Sequence, residues 1–405
     1  MHFGYLVGVL FLGACVLLQL VPIRGRSVLR PLSFWTSLVV NEQPHWFALM
    51  LLAATALAFA QGNIDSAPAW AVVLGALAVL LGLARLFLRM FRSRASLAAA
   101  IAMLDPEAVD RTGGGRKYVA TLFGPFAYGR GKVTRVADIT YGPAGQRNLL
   151  DVYHRPGGRS RGPTLIFLHG GSFTGGAKKR EGQLALYRLA RRGWVCISAN
   201  YRLSPEGQFP DYAIDLKRVI AWAKSEGQRY GVDPDRILLA GSSAGGHIAA
   251  TAGLSENEPV LQPGFEEVDT KVAGVIGIYG YYGGLDFGSL RPRGPLPSSP
   301  RDLVRPGAVP FLIMHGVRDT VVSIENARSF VARLRDSGVP VAFAELPGAQ
   351  HSFDLLRSVR NENSVDAIED FAAWLFGTSM GDYGESRPLG SGLGQSSDGA
   401  NTGSQ

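Results

Sequence analysis

The sequence of 405 residues predicts an α/β protein: a doubly wound, mostly parallel β-sheet preceded by a three-helix transmembrane region. Two observations lead to this prediction. From about residue 133, short apolar runs alternate with stretches of helical periodicity, as in a parallel sheet covered by helices on both faces. The first ninety residues instead contain most of the long apolar runs of the chain.

The chain begins with three apolar runs, which extend over Phe3–Val21, Trp46–Ala60 and Trp70 to about Leu88. A helix needs about 20 mostly apolar residues to cross a bilayer. The first and third runs are therefore long enough, whereas the second is shorter and reaches that length only with its polar flanks. Aromatic residues at the edges of the runs suit the membrane interface.

Charge predicts how these runs are oriented. The chain has a net charge of +8, and arginines flank the apolar runs at Arg24, Arg26, Arg30, Arg85, Arg89, Arg92 and Arg94. The loop Gln61–Pro68 contains Asp65 but no lysine or arginine. Because cytoplasmic loops carry the excess of positive charge, we expect the N-terminus outside and the region after the third run in the cytoplasm. This placement of charge favours a membrane over a nucleic acid as the partner.

Processing of the N-terminus is a weaker alternative. Met1–Tyr5 lacks the positive charge that normally begins a signal peptide. Leu12–Cys15 resembles a lipoprotein cleavage site, but the apolar run continues beyond it. Cys15 and Cys196 lie in unlike apolar environments, so we expect small buried side chains and no disulfide framework.

Composition divides the chain into four parts. A transmembrane region covers residues 1–90, and a basic amphipathic connector covers residues 91–132. Within the connector, Ser96–Leu104 is predicted to form a helix on the membrane surface, ended by Gly113–Gly115. The α/β domain covers residues 133–376, and residues 377–405 form a Gly/Ser-rich tail that we expect to be disordered.

Alternation and buried apolar patterns predict the strands of the α/β domain. They are Val133–Tyr141, Asn148–Tyr153, Thr164–Leu168, Trp194–Ala199, Ile237–Ala240, Val272–Tyr279, Pro310–Met314 and Val339–Leu346. Tyr212, Leu216 and Val219 share one face of a predicted helix. A second helix is predicted over Ile324–Leu334, with Ser323 as its N-cap.

A candidate nucleophile, Ser243, lies within Gly241–Gly245, between the apolar strand Ile237–Ala240 and a helical stretch. The small residues allow the sharp turn that projects a serine hydroxyl from a sheet. A serine hydroxyl needs a base within hydrogen-bond reach and an acid that orients the base. In sheets of this kind the acid and then the base follow the serine along the chain.

His351, the last histidine of the chain, follows the final predicted strand and is the predicted base. Asp319 follows the preceding strand and is the predicted acid, with Asp286 and Asp354 as second choices. Of the remaining histidines, we expect His247 to pack on its helix and His315 to hold its loop.

Donors for an oxyanion are predicted in two places. Gly170 and Gly171 follow the strand Thr164–Leu168, where the absence of a side chain lets backbone N–H groups face a substrate. The N–H of Ala244, directly after the serine, is the third predicted donor. The residues expected to border the substrate pocket are Ser172, Phe173, Tyr279, Tyr281 and Tyr282.

These motifs resemble the α/β-hydrolase superfamily, in its hormone-sensitive-lipase-like branch of carboxylesterases and lipases. The resemblance extends from about Val133 to Phe376, and it includes Asn200–Pro205, Phe209–Pro210, Asp215, Trp222, Gly231–Arg236 and Pro347–Phe353. Ser172 stands where a third glycine is usual. Thr320–Val322 is nearer to feruloyl-esterase-like members, and membrane spans replace the usual N-terminal cap.

The resemblance implies a serine hydrolase that cleaves carboxylic esters through an acyl-enzyme. The three apolar runs predict that it is anchored in a membrane, and the anchoring favours a lipophilic ester. The resemblance implies no metal and no organic cofactor. The expected partners are a small-molecule or lipid ester and the bilayer, and no nucleic acid. A peptidase or thioesterase with the same triad, including one similar to prenylcysteine methylesterases, is an alternative. A membrane scaffold without catalytic activity is another.

Overall fold

The computed structural model describes residues 3–23, 30–105, 118–156 and 162–377. Its α-helices are α1 (Phe3–Leu20), α2 (Arg30–Thr36), α3 (Pro44–Ala60), α4 (Ala67–Ala102), α5 (Val119–Phe123), α6 (Gln183–Arg191), α7 (Asp211–Ser225), α8 (Ala244–Leu254), α9 (Ile324–Asp336) and α10 (Val359–Phe376). A π-helical turn, Ser37–Asn41, follows α2. Its β-strands are β1 (Thr134–Thr140), β2 (Leu149–His154), β3 (Thr164–Leu168), β4 (Val195–Ala199), β5 (Ile237–Ser242), β6 (Gly274–Ile278), β7 (Phe311–Gly316) and β8 (Val341–Leu346).

In the described part of the chain, the strands form one sheet in the order β1-β2-β4-β3-β5-β6-β7-β8. The pairs β1–β2 and β2–β4 are antiparallel, and every other pair is parallel. The prediction of a mostly parallel sheet is therefore confirmed. Because β3 to β7 run in one direction, the residues after their carboxyl ends lie along one edge of the sheet.

The apolar pattern of the central strands follows from burial on both faces. All residues of β3, β4, β5, β6 and β7 are buried, as expected for a parallel sheet between two helical layers. The helices α7, α8 and α9 pack on one face, and α6 and α10 on the other. Ser323 caps α9 as predicted, since its hydroxyl accepts a hydrogen bond from the N–H of Glu325.

The N-terminal apolar runs form helices. By length and composition, α1 and α4 can each cross a membrane. The third candidate is bent: Pro31–Asn41 and the helix α3 meet at an angle of 83°. The described residues thus contain two candidate spans, or three if the bent pair counts as one.

The helices α1 and α4 pack closely against each other. A Cβ on Gly82 of α4 would lie 2.5 Å from Cγ1 of Val16 in α1, so glycine allows the two helices to approach, as small residues do between membrane helices. Large apolar side chains such as Phe11, Met50 and Leu81 point outward and are exposed. An apolar outer surface is typical of helices that face lipid.

The predicted connector differs from the structure. The helix α4 continues without a break to Ala102, and Leu97, Ala100 and Ile101 are buried in the core shared with α6 and α10. The alanine-rich face therefore packs on the α/β domain and not on a membrane surface. The expectations for Arg24, Arg26, Gly113–Gly115 and residues 378–405 lie outside the described residues.

Candidate active site

Ser243 occupies the sharp turn between β5 and α8. Its backbone has φ 54° and ψ −115°, a combination that is strained for a residue with a side chain. The flanking glycines make this turn possible. A Cβ on Gly241 would lie 2.2 Å from the backbone of Gly245, and a Cβ on Gly245 would lie 2.2 Å from the carbonyl oxygen of Leu168. The turn is anchored by the N–H of Ser243, which donates to the carbonyl of Ile278 at 2.9 Å.

The structure brings Ser243, His351 and Asp319 together. Nε2 of His351 lies 3.0 Å from Oγ of Ser243, and Nδ1 of His351 lies 2.7 Å from Oδ2 of Asp319. All three residues are buried, and the carboxylate of Asp319 has no exposed side-chain area. When Nδ1 of His351 carries a proton and donates it to Asp319, Nε2 is free to accept the serine proton.

Asp319 is held as a carboxylate. The N–H groups of Val321 and Val322 both donate to Oδ1 at 2.8 Å, and Nε2 of His315 lies 3.3 Å from Oδ2. Burial alone would raise the pKa of Asp319, but the charge of His351 and the hydrogen bonds from His315 and His351 outweigh burial, so the pKa lies well below its usual range. His315 therefore holds the loop of Asp319, as the sequence indicated.

One of the predicted oxyanion donors is already engaged. The N–H of Gly170 donates to Oε2 of Glu181 at 3.2 Å, so this amide is not directed at a substrate. Gly171 has φ 123° and a Cβ there would lie 2.1 Å from the carbonyl oxygen of Gly175, which explains why only glycine fits. Ser172, next in the loop, is exposed and has φ 54°. The N–H of Ala244 lies at the first position of α8, where no intrahelical acceptor exists.

Behind the triad lies a buried acidic network that the sequence did not reveal. Asp354, considered above as a second-choice acid, accepts hydrogen bonds from Ser242 at 2.9 Å and from the hydroxyl of Tyr279. Burial raises the pKa of Asp354. Burial, followed by the charge of Asp354, also raises the pKa of Glu181 to about 7. Asp286, the other second-choice acid, is exposed.

The predicted pocket residues have different environments. Tyr279 packs against the triad, with its ring 4.6 Å from the ring of His351. Phe173 packs edge-on against His247, and Tyr281 stacks on the same imidazole. Tyr282 departs from the prediction: it is buried, and its ring stacks on Phe330 in the core at 4.3 Å. Ser172 is exposed in the loop after β3.

His247 and His169 are structural side chains in this arrangement. Burial lowers the pKa of each to about 4, so both imidazoles are neutral near pH 7. His169 stacks on Tyr201 at 4.5 Å, and Nδ1 of His247 bonds the carbonyl of Tyr281 at 3.0 Å. Within the described residues, no group of three or more His, Cys, Asp or Glu side chains is arranged to hold a metal ion.

Two family models match this part of the chain. A family described as BD-FAE matches residues 150–295, which include Ser243. The prolyl oligopeptidase family matches residues 296–380, which include Asp319 and His351. The two matches together therefore extend over the whole site.

The chain is also similar to curated mycobacterial proteins. It is 40% identical over 267 residues to the "Probable carboxylic ester hydrolase LipM" of Mycobacterium tuberculosis, covering 60% of this chain and 61% of that protein. It is 40% identical over 270 residues to "Esterase LipQ" of the same organism, covering 61% of this chain and 64% of that protein. The chain thus spans a little over three fifths of the length of these curated relatives.

A plant protein and a solved structure extend the comparison. The chain is 32% identical to the "Isoprenylcysteine alpha-carbonyl methylesterase ICME" of Arabidopsis thaliana over 152 residues, 38% of this chain and 35% of that protein. It superposes on an esterase of Thermogutta terrifontis with a TM-score of 0.50 and 23% identity, covering 58% of this chain and 91% of that one. The sheet order, the turn at Ser243 and this superposition agree: the chain has the α/β-hydrolase fold, and over about three fifths of its length it is similar to proteins named as ester hydrolases.

Proposed function

We propose that this protein is a membrane-anchored serine esterase that hydrolyses carboxylic esters. The observation that carries the proposal is the continuous hydrogen-bonded chain from Ser243 Oγ through His351 to Asp319, at 3.0 and 2.7 Å. The curated relatives named as ester hydrolases support the same reaction class.

The geometry suits the following steps. Oγ of Ser243 attacks the ester carbonyl while Nε2 of His351 takes the hydroxyl proton. Asp319 keeps His351 in the required tautomer and stabilises its charged form. Collapse of the tetrahedral intermediate breaks the bond to the alcohol, which leaves with the proton from His351. A water molecule, activated by the same imidazole, then hydrolyses the acyl-enzyme and returns Ser243 to its free state.

We propose that the oxyanion of the intermediate is held by the N–H groups of Gly171, Ser172 and Ala244. This set contains the N–H of Ser172 in place of that of Gly170, because the N–H of Gly170 donates to Glu181. The N-terminus of α8 adds a favourable positive dipole next to Ala244. Loss of one such donor typically lowers kcat by about 10²- to 10³-fold.

Labelling with a fluorophosphonate probe tests the mechanism directly. The wild-type protein is expected to label, and Ser243→Ala is expected to lose both the label and ester turnover. Ser242→Ala is the matched control, because Ser242 is adjacent but donates to Asp354. An unlabelled wild type would favour a scaffold without catalysis.

An amide or thioester substrate is the second candidate, because the prolyl oligopeptidase model matches the part that contains Asp319 and His351. That match omits Ser243 and the loop at Gly170, so it favours an amide less than the relatives named as ester hydrolases favour an ester. Parallel rates on matched ester, thioester and amide substrates separate the candidates. Faster turnover of the amide would replace the esterase assignment.

We further propose that the N-terminus lies outside the cell and that residues 133–376 form a catalytic domain in the cytoplasm. The C-terminal end of α1 and the last turns of α4 both contact this domain. The domain therefore lies on the same side as the loop after α1, and the arginines of that loop favour the cytoplasm. Protease treatment of intact cells carrying a C-terminal tag tests the orientation. Loss of the tag without lysis would reverse it.

A further inference from the structure

The segment Pro31–Asn41 lies between the candidate membrane helices and the active site. The helix α1 has 18 residues, a length of about 27 Å, which is close to the hydrocarbon thickness of a bilayer. Leu20 at its end therefore lies near a membrane boundary. Since Pro31–Asn41 is bent by 83° from α3, it runs nearly parallel to the membrane surface when α3 is upright.

The polarity of this segment is the reverse of that expected in water. Its outward side chains are apolar: Leu32, Trp35 and Val39 are 54%, 64% and 46% exposed. Three of its four buried side chains are polar, namely Ser33, Ser37 and Asn41, and the fourth is Val40. The spacing of three and four residues places each set on one side of a helix. An exposed apolar face that contains tryptophan, continuous with membrane helices, is typical of a segment in the lipid interface.

The same segment is joined firmly to α1. Nε2 of Gln19 donates to Thr36 at 2.8 Å, and the hydroxyl of Ser33 donates to the carbonyl of Leu18 at 3.4 Å. These contacts fix the depth of the segment relative to the end of α1.

The end of α1 and the segment Pro31–Asn41 both contact the loops that carry Asp319 and His351. Arg318, directly before Asp319, donates to the carbonyl of Gln19 at 2.9 Å and to that of Leu20. Asn41 donates to the carbonyl of Gly348, three residues before His351, at 3.1 Å. The ring of Phe34 lies 6.4 Å from the ring of His351. The loops of Asp319 and His351 thus lie at the membrane boundary.

From this arrangement we infer that Pro31–Asn41 is an interfacial wall of the active site, and that the acyl chain of a bilayer-resident ester reaches Ser243 along Phe34. The inference rests on the proposed esterase activity and specifies its substrate class. Phe34 is half-buried between Trp35 and His351, so it offers an apolar surface that leads from the lipid side to the triad. Phe34 is a specificity-determining residue in this assignment.

The test compares two substrates with the full-length protein in phosphatidylcholine vesicles. We expect Phe34→Ala to lower kcat/KM for p-nitrophenyl palmitate in the vesicles about tenfold more than kcat/KM for p-nitrophenyl butyrate, because the longer chain loses an apolar contact. Phe34→Leu keeps apolar bulk and is expected to restore most of this ratio. Trp70→Ala is the matched control, since it removes an exposed ring that packs on Phe59 elsewhere in the membrane helices.

Fluorophosphonate titration of each sample supplies the concentration of active sites, so a misfolded fraction does not enter the rates. An equal change for both esters, or none, in Phe34→Ala would overturn the inference while leaving the esterase activity in place. A change of the ratio in Trp70→Ala equal to that in Phe34→Ala would overturn it as well. A wild type that does not label would refute the serine mechanism itself, and this inference with it.

Discussion

The guanidinium of Arg360 in α10 pairs with the carboxylate of Glu42, which lies just before α3. Both residues are buried, and the hydroxyl of Ser358 donates to the same carboxylate at 2.9 Å. The neighbouring Gln43 donates to the carbonyl of Arg357 at 2.8 Å. The α/β domain is therefore joined to the candidate membrane helices by buried polar contacts.

Glu42→Gln is expected to destabilise the protein strongly. Removing one partner of a buried ion pair leaves the other charge without compensation, at a cost of about 3–5 kcal/mol. The midpoint temperature for loss of fluorophosphonate labelling in detergent measures the effect. The double variant Glu42→Gln with Arg360→Met should regain much of the loss. Arg328→Met is the control, because its partners are partly exposed and such pairs contribute little.

Asp319→Asn is expected to lower kcat about 10⁴-fold, because an amide at this position favours the wrong tautomer of His351. Asp354→Asn is the matched comparison. Asp354 contacts Ser242 and Tyr279, not the imidazole of His351, so its loss should affect kcat far less. Steady-state rates on one ester decide between them. The reverse order would make Asp354 the orienting acid.

The chemistry at the strand ends was predictable from the sequence. Ser243, Asp319 and His351 follow β5, β7 and β8, and the carboxyl ends of parallel strands meet at one edge whatever the packing details. The spacing of apolar runs and the small residues around Ser243 were therefore sufficient. The engagement of one loop amide was not predictable, because nothing in the sequence distinguishes the N–H of Gly170, which donates to Glu181, from that of Gly171.

The contacts between the candidate membrane helices and the candidate active site leave no signal in the sequence. Asn41 and Gly348 are 307 residues apart, and such a contact leaves no local pattern. The full length of α4 also exceeds the prediction, because the arginines after Leu88 indicate the end of a membrane span and not the end of the helix. Arginine and alanine are good helix formers, and no glycine or proline lies between Met90 and Ala102, so the helix continues.

Stability should depend on pH through Glu181. Burial, followed by the charge of Asp354, raises its pKa from 4.5 to about 7. The folded protein thus holds a proton that the unfolded chain releases. The contribution of Glu181 to the free energy of unfolding is fully present below pH 4.5 and is lost as the pH rises to about 7. This change amounts to about 3 kcal/mol.

Glu181→Gln should flatten this profile, because the amide stays neutral and its oxygen can still accept from Gly170. The midpoint temperature for loss of labelling, followed from about pH 5 to pH 8 across the titration of Glu181, measures the slope. Glu345→Gln is the control: a hydrogen bond from Arg328 lowers the pKa of Glu345, so its stabilising effect is lost as the pH falls. Parallel profiles for wild type and Glu181→Gln would contradict the prediction.

Tyr279→Phe separates the two tasks of this side chain. The ring packs 4.6 Å from His351, whereas the hydroxyl donates to the buried carboxylate of Asp354. The variant keeps the ring but leaves Asp354 with one donor fewer, so we expect a loss of about 1–3 kcal/mol in stability and a kcat close to that of the wild type. Tyr279→Leu also removes the ring and should lower kcat as well, because His351 loses its packing partner. If Tyr279→Phe lowered kcat as much as Tyr279→Leu, the hydroxyl itself would contribute to the reaction, through Asp354 and Ser242 beside the nucleophile.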